Sequence, residues 1–395
     1  MPVFPSFVYN GAMKLRQLEC IDDIPAEQWN RLAGDANPFL RHEFLAALEH
    51  NGCVGETYGW LPRHLLVLDD NSSPVGAMPL YAKDNSYGEF VFDWAWADAY
   101  ERAGIPYYPK LVCAVPYTPA TGTRLLVAPE DPHADEIRNL LGAHAREYAL
   151  RSGMSSLHWL FPDAADTGTL AEQGLLLRMG CQFHWENAGY RDFDDFLERF
   201  NAQKRKKVRR ERKRVTEAGV ELEVVHGHEA SDEQWRTAHH YYHSTFEKKW
   251  GYPTLNLGFF REIGRTMGDR VVLVFAYHDG RPVAGAINLR GRDTLYGRHW
   301  GCDARFHSLH FEACYYQGID YCIRTGLQRF EPGAQGEHKI SRGFLPTATW
   351  SAHWIADARF RQAIGDFLRR ETVAMEQYME ELADHAPYKA APARE

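Results

Sequence analysis

Apolar and polar positions alternate in blocks along this chain, and one block pattern occurs twice. LLVLDDNSSPVGAMPL (residues 65–80) and VLVFAYHDGRPVAGAINL (residues 272–289) each read as an apolar strand, a polar turn with Pro-Val, then Gly-Ala and a second strand. Later, YALRSGM (148–154) is echoed by YCIRTGL (321–327), a helix stopped by glycine before a strand begins. Two matches in the same order predict two halves built on one plan.

The second half predicts the order more fully. Strand GVELEVV precedes a helix from about Asp232 to Lys248 and a second helix, LGFFREIGRT. Strands VVLVFAY, VAGAINL and TLYGRHWG follow, then a helix from about Leu309 to Arg324 and strand QRFEPG. A short helix near His338 and strand TATWSAHWI close the unit. The order β-α-α-β-β-β-α-β-α-β is that of an α/β unit with a mixed sheet. Apolar residues at 360, 364, 367, 368, 375, 378, 379 and 382 form one helical stripe, which predicts a long C-terminal helix before a disordered tail, APYKAAPARE. At the other end, KLRQLEC after Met13 reads as a first strand. The preceding residues read as a loose extension, or Met13 is the start.

The halves differ in spacing. Gly76 to Tyr148 is 72 residues and Gly285 to Tyr321 is 36, so the first half carries a 36-residue excess. It contains FVFDWAWADAYERAGIPYYPK, with Trp94, Trp96, Tyr100, Tyr107 and Tyr108. Such a segment is a ligand wall or a loop packed on its own domain. The predicted division is a first domain over 1–190 with an aromatic insert at about 83–116, a basic linking helix over 191–218, a second domain over 219–357, and a C-terminal helix and tail over 358–395.

Charge changes the picture at one place. The chain carries −8, yet KRKKVRRERKRV (204–215) carries +8, with nine basic residues and one acid, Glu211. The remainder therefore sums to −16, which excludes a generally basic nucleic-acid coat and makes any anion binding local. Phe193, Phe196, Leu197, Phe200, Val208, Val215 and Ala218 make a thin apolar stripe through this region, so the block reads as the solvent face of a helix. It is a solvated face balanced by an acidic body, or an anion track formed by Lys204, Arg205, Lys206, Arg209 and Arg210. The track would suit a tRNA, a phosphorylated lipid-linked precursor or an anionic membrane surface. Seven cysteines without a C-x-x-C favour reduced thiols and a cytoplasmic location over disulfides or zinc. No apolar run reaches the ~20 residues of a membrane-spanning helix.

VPYTPATGTRLL, KRKKVRRERKRV, HWGCDARFHSLHFEACYYQGIDYCIRTGL and RFEPGAQGEHKISRGFLPTATWSAHWI resemble the FemAB-like branch of the GNAT acyltransferase superfamily, in a bacterial family labelled peptidoglycan biosynthesis/recognition. The resemblance implies two tandem GNAT-like domains with mixed central sheets. It also implies transfer of an acyl or aminoacyl group to an amine acceptor, a small molecule or peptide, with acyl-CoA or aminoacyl-tRNA as co-substrate. The usual [RQ]-x-x-G-x-[GA] pyrophosphate loop is missing at GRHWGCDARFHSLHFE, which leaves the donor open. A non-catalytic protein that recognises a phosphorylated or peptidic ligand in a GNAT-like cleft is the alternative.

Acyl transfer to an amine needs a proton acceptor, a held donor carbonyl and a stabilised oxyanion. A lysine-like amine is only about one part in a few thousand neutral at pH 7. Glu312, with His310, opens the helix after the fourth strand and is the expected base. A glutamate there is also stabilising by itself through the helix dipole. Glu337, His338, Lys339 and Arg342 cluster beyond the fifth strand. In FemAB-like proteins a lysine a few residues before a Phe lies in this region, and Lys339 before Phe344 resembles it. The catalytic set expected is therefore Glu312, His310, His338 and Lys339, and Gln335, Glu337 and Arg342 are expected substrate contacts. Tyr117, Thr118 and Arg124 in the first half, and Trp250, Arg298 and Trp300 in the second, complete the expected substrate-binding set. His239, His240 and His243 lack the Glu of H-E-x-x-H, and no metal is expected there or at His307, His310 and Glu312.

Overall fold

The computed structural model describes residues 7–9, 13–249, 252–303, 306–334 and 336–389. The expected Trp250 and Gln335 contacts and the tail from 390 on lie outside these. The chain forms two compact units, residues 1–180 with 348–376, and 181–347 with 377–395. Both are α/β units whose sheets mix antiparallel and parallel pairs.

This division differs from the expected one in a physical way. Strand Leu176–Glu186 begins in the first unit and ends in the second, and strand Leu345–Ile355 runs the other way. Helix Ala358–Ala383 also crosses, burying Ile364 and Leu368 in the first unit and Leu382 in the second. The basic stretch is no free linker. It forms helix Ala202–Glu217, capped by Asn201, whose side chain accepts from the Lys204 N–H. Val208 and Val215 are buried along it in the second unit.

In the second unit the observed order is strand Val220–His226, helices Asp232–Lys249 and Leu257–Met267, then strands Val271–His278, Arg281–Arg290 and Thr294–Cys302. A helical stretch from Leu309 to Thr325 precedes strand Arg329–Glu331 and a 3₁₀ turn, Glu337–Arg342. This is the order the apolar blocks predict. Neighbouring strands are antiparallel up to Thr294–Cys302, which pairs in parallel with Arg329–Glu331.

The echoed hairpins are alike in detail. Val67 opposes Gly76 in the first unit, and Phe275 opposes Gly285 in the second, each with a bulge near the turn. Both glycines admit a helix. A β-carbon at Gly76 would lie 2.4 Å from Ile137 Cγ2, and one at Gly285 would lie 3.0 Å from Tyr241 Cδ2. Gly153 and Gly326, at φ +67° and +74°, end the helices of the second echo.

The units part at the insert. In the first unit, strand Leu126–Val127 pairs with Pro74–Met78 in one sheet. Strand Ser156–Leu160 lies in another, beside the insert strand Lys110–Cys113. The insert thus fills the neighbouring position that Thr294–Cys302 takes in the second unit.

Candidate functional site

Parallel pairing in the second unit spans only Thr294↔Arg329, Leu295↔Phe330 and Tyr296↔Glu331. The first strand then runs on from Gly297 to Cys302 without this neighbour. Gly297 sits where they part, and a β-carbon there would lie 3.1 Å from Pro332 Cα. Beyond it come Arg298, His299 and Trp300, each half-buried. Burial pushes the Arg298 guanidinium down to about 10 and holds His299 well below its usual range.

The helix that follows opens beside this gap. Ser308 precedes it in left-handed conformation, φ +73°. A π-helical turn, Glu312–Tyr316, interrupts the α-helical pattern, a feature common near functional sites. The His310 ring lies 5.4 Å from Trp300, 5.3 Å from Tyr315 and 6.0 Å from His338 between centroids. His338 Nε2 is 2.8 Å from the Tyr315 hydroxyl. Burial first, then the Arg342, Lys339 and Lys207 charges, hold the exposed His338 below its usual range. It is therefore neutral at neutral pH.

Lys339 is almost fully buried. Its ammonium donates to the Gly333 carbonyl at 2.6 Å, and no carboxylate faces it among the described residues. Burial pushes it down to about 7. A lysine so placed gains greatly from any anion brought beside it. Glu337, exposed on the same turn, accepts from the Tyr378 hydroxyl at 2.7 Å.

Two other cations of this region are already paired. Arg342 donates to Glu211 at 2.7 and 3.1 Å, and its guanidinium lies 3.3 Å from the centre of the Phe311 ring. Glu211 also accepts from the Tyr316 hydroxyl. The lone acid of the basic block is thus a buried anchor. The sequence carries a signal for it, since Glu211 falls three residues after Val208 and four before Val215, on the buried stripe. Glu312 is likewise buried, held by Arg212 Nη2 at 3.1 Å and Nε at 3.2 Å, and by Gln317 at 2.8 Å.

The basic helix sorts its cations by flank. Arg209 pairs with Asp194 at 3.0 Å, Arg212 with Glu312, and Lys213 with Glu217 at 3.3 Å. Lys207 Nζ instead lies 3.5 Å from Ser341 Oγ, on the turn that carries His338 and Lys339. Arg210 and Arg214 follow it at helical spacing on that flank, exposed. Lys204 and Arg205 are half-buried and Lys206 is exposed.

The structure therefore brings together Trp300, His310, His338 and Lys339. Tyr117, Thr118 and Arg124 lie in the first unit. The Arg124 side chain is fully buried, donating to the backbone carbonyls of Leu160, Gly122, Thr123 and Ala120 at 2.8 to 3.2 Å. Expected to present its guanidinium to an acceptor, it instead ties the two sheets of that unit together. Tyr117, at φ +59°, donates to the Cys53 carbonyl at 2.8 Å, and the buried Thr118 hydroxyl donates to the Pro116 carbonyl. Tyr315 was not legible as a site residue because its sequence context reads only as a buried helix face.

A sequence profile for a FemAB-like family, described as peptidoglycan biosynthesis/recognition, matches residues 20–390. No curated protein matches the chain. Among solved structures, FemX is 13% identical, with a TM-score of 0.53 over 87% of this chain and 98% of that one. The C-terminal domain of a putative lysylphosphatidylglycerol synthetase from Agrobacterium fabrum is 11% identical, with a TM-score of 0.52 over 86% and 94%. L-PGS from Bacillus licheniformis is 9% identical, with a TM-score of 0.50 over 89% and 99%. At these identities the likeness is one of fold.

Proposed function

Because the chain belongs to the FemAB-like family, we propose that it is an N-acyltransferase, moving an acyl or aminoacyl group from acyl-CoA or aminoacyl-tRNA to an amine acceptor. The acceptor is a small molecule or peptide, with a cell-wall precursor as the first candidate. The observation that carries this reading is Lys339, a buried ammonium that no carboxylate faces among the described residues, near the point where two parallel strands part.

The donor carbonyl lies in the gap beyond Gly297. The acceptor nitrogen attacks its carbon, a C–N bond forms, and the carbonyl oxygen takes the negative charge. Lys339 stabilises that oxyanion, a contribution of about 3–4 kcal/mol where a single donor of this kind has been removed from other enzymes. The amine proton passes to neutral His338, whose other ring nitrogen is oriented by the Tyr315 hydroxyl. Collapse breaks the bond to the tRNA hydroxyl or the thiol, and the leaving group takes a proton. Glu312, expected as the base, is assigned to holding Arg212. His310 packs beside Trp300 and shapes the wall. The flank of the basic helix that carries Lys207, Arg210 and Arg214 supplies cations for a phosphorylated donor or precursor.

Single-turnover transfer from charged tRNA and from acyl-CoA to cell-wall precursors tests this. Lys339→Met should lower the rate by at least roughly a hundredfold without unfolding the chain. Binding of a precursor with no transfer from either donor overturns the reading and favours a recognition protein.

A further inference from the structure

The first unit buries a lysine between two carboxylates. Lys110, on strand Lys110–Cys113, is fully buried. Its ammonium has three hydrogens, and it donates to Glu89 Oε2 at 2.8 Å, Asp93 Oδ2 at 2.5 Å and Ser86 Oγ at 2.8 Å. Glu89 and Asp93 are themselves 4% and 3% exposed. Two acids thus face one cation away from solvent, an arrangement that burial penalises. The second oxygen of each, Glu89 Oε1 and Asp93 Oδ1, is buried with no partner among the described residues.

The two acids are not equivalent. Asp93 Oδ2 also accepts from the Tyr107 hydroxyl at 2.6 Å. Burial pushes Asp93 up, but the Lys110 charge and the hydrogen bonds it receives outweigh burial and hold it down to about 2. The Glu89 carboxyl accepts from Lys110 alone among the described residues, and burial pushes it up to about 7 against the pull of that charge. Near neutral pH a carboxylic acid and a carboxylate therefore flank one amine. They are an electrophile and a proton acceptor for the same nitrogen.

We propose that Lys110 and Glu89 condense to an intramolecular isopeptide bond, with Asp93 as the proton acceptor. The Lys110 ammonium passes one proton to Asp93 across the 2.5 Å contact. The freed nitrogen attacks the Glu89 carboxyl carbon, one C–O bond beyond the oxygen it already touches. The Nζ–Cδ bond forms, the Cδ–OH bond breaks, and the hydroxyl leaves as water with a second proton from the amine. Nothing is oxidised or reduced. Burial opposes the Lys110 charge while the two carboxylates sustain it, so the free amine is scarce. The reaction needs to occur only once in each chain, and the fixed contacts keep the amine at the carboxyl throughout. Lys83, also fully buried, interacts most strongly with the Glu89 charge and steadies the oxyanion. The product is a neutral amide beside a neutral Asp93, so the buried charges are removed. The bond closes the insert across helix Trp94–Arg102, and it stands independently of the acyl-transfer reading.

Intact mass spectrometry of the full chain, unfolded in acid after purification, tests this. The wild type should be lighter than its sequence by one water. Trypsin should leave a branched peptide joining residues 84–102 to residues 103–124, because an acylated Lys110 is no longer a cleavage site. Fragmentation should place the branch at Glu89. Lys110→Arg and Asp93→Ala should each recover the full mass. The proposal is overturned if the wild type has the full mass of its sequence, a readout that does not depend on any variant folding. It is also overturned if the loss persists in Lys110→Arg, as a succinimide at Asp279–Gly280 would, or if the branch maps to Asp93.

Discussion

The Glu211 carboxylate holds the Arg342 guanidinium through two bonds, at 2.7 and 3.1 Å, with both side chains buried. The pair joins the basic helix to the turn that carries His338 and Lys339, so the shape of the site depends on it. Breaking a buried pair from one side strands a charge. Glu211→Ala should therefore lower unfolding stability by about 3–5 kcal/mol, read as an earlier urea midpoint at unchanged slope. A double replacement by apolar residues of similar volume should lose much less than the two single changes together.

Lys339 makes stability depend on pH in a direction opposite to most lysines. Its folded value of about 7 lies below the ordinary 10.5. Between those values the unfolded chain binds a proton that the folded chain does not, so stability rises with pH across this window. Below about 7 both states are protonated and the full penalty of the buried ammonium is present. Lys339→Met should thus stabilise the protein most near pH 6, with the gain shrinking toward pH 10. Urea unfolding across that range checks it. An anionic ligand bound at Lys339 should raise its titration, measurable by NMR of the labelled ammonium.

The order of elements in the second unit was legible because its apolar blocks have strand or helix period and its turns carry Gly or Pro. HDGRP and Gly326 show this, the latter in left-handed conformation, as Gly153 is in the first unit. The crossing of strands between units was not legible. TATWSAHWI reads as the closing strand of its own half, yet residues 348–355 join the first unit and pair with Ser156–Leu160. Partner choice is a long-range contact that local pattern does not encode. The site was legible in part. Lys339 and His338 stand out as titratable residues in a Gly-rich turn. The roles of Glu312 and Arg124 depend on partners distant in the chain: Arg212 lies 100 residues from Glu312, and the Leu160 carbonyl lies 36 residues from Arg124.

The basic helix should bind anions through one flank. Lys207, Arg210 and Arg214 share a side at i, i+3 and i+7, and carry no carboxylate pair among the described residues, whereas Arg209, Arg212 and Lys213 do. Changing Lys207, Arg210 and Arg214 to Gln should weaken binding of tRNA or of a phosphorylated precursor and flatten its salt dependence, with a slope change near one per lost phosphate contact. Changing Arg209 and Lys213 should do much less. Fluorescence titrations from low to moderate salt separate the two sets.

The role of Glu312 can be settled against that of His338 in one comparison. Arg212 and Gln317 donate to its carboxylate, and the Arg212 side chain is itself partly exposed. Glu312→Gln keeps the shape and most of the hydrogen bonding but removes the ion pair, so it should cost about 1–3 kcal/mol of stability. A general base removed from an acyl transfer lowers the rate by about 10²–10⁴. Under the proposed mechanism, Glu312→Gln should transfer within a few-fold of the wild type at temperatures where both are folded, while His338→Ala loses the larger factor. Rates measured by single turnover on folded protein decide it: a Glu312→Gln loss matching that of His338→Ala returns the proton to Glu312.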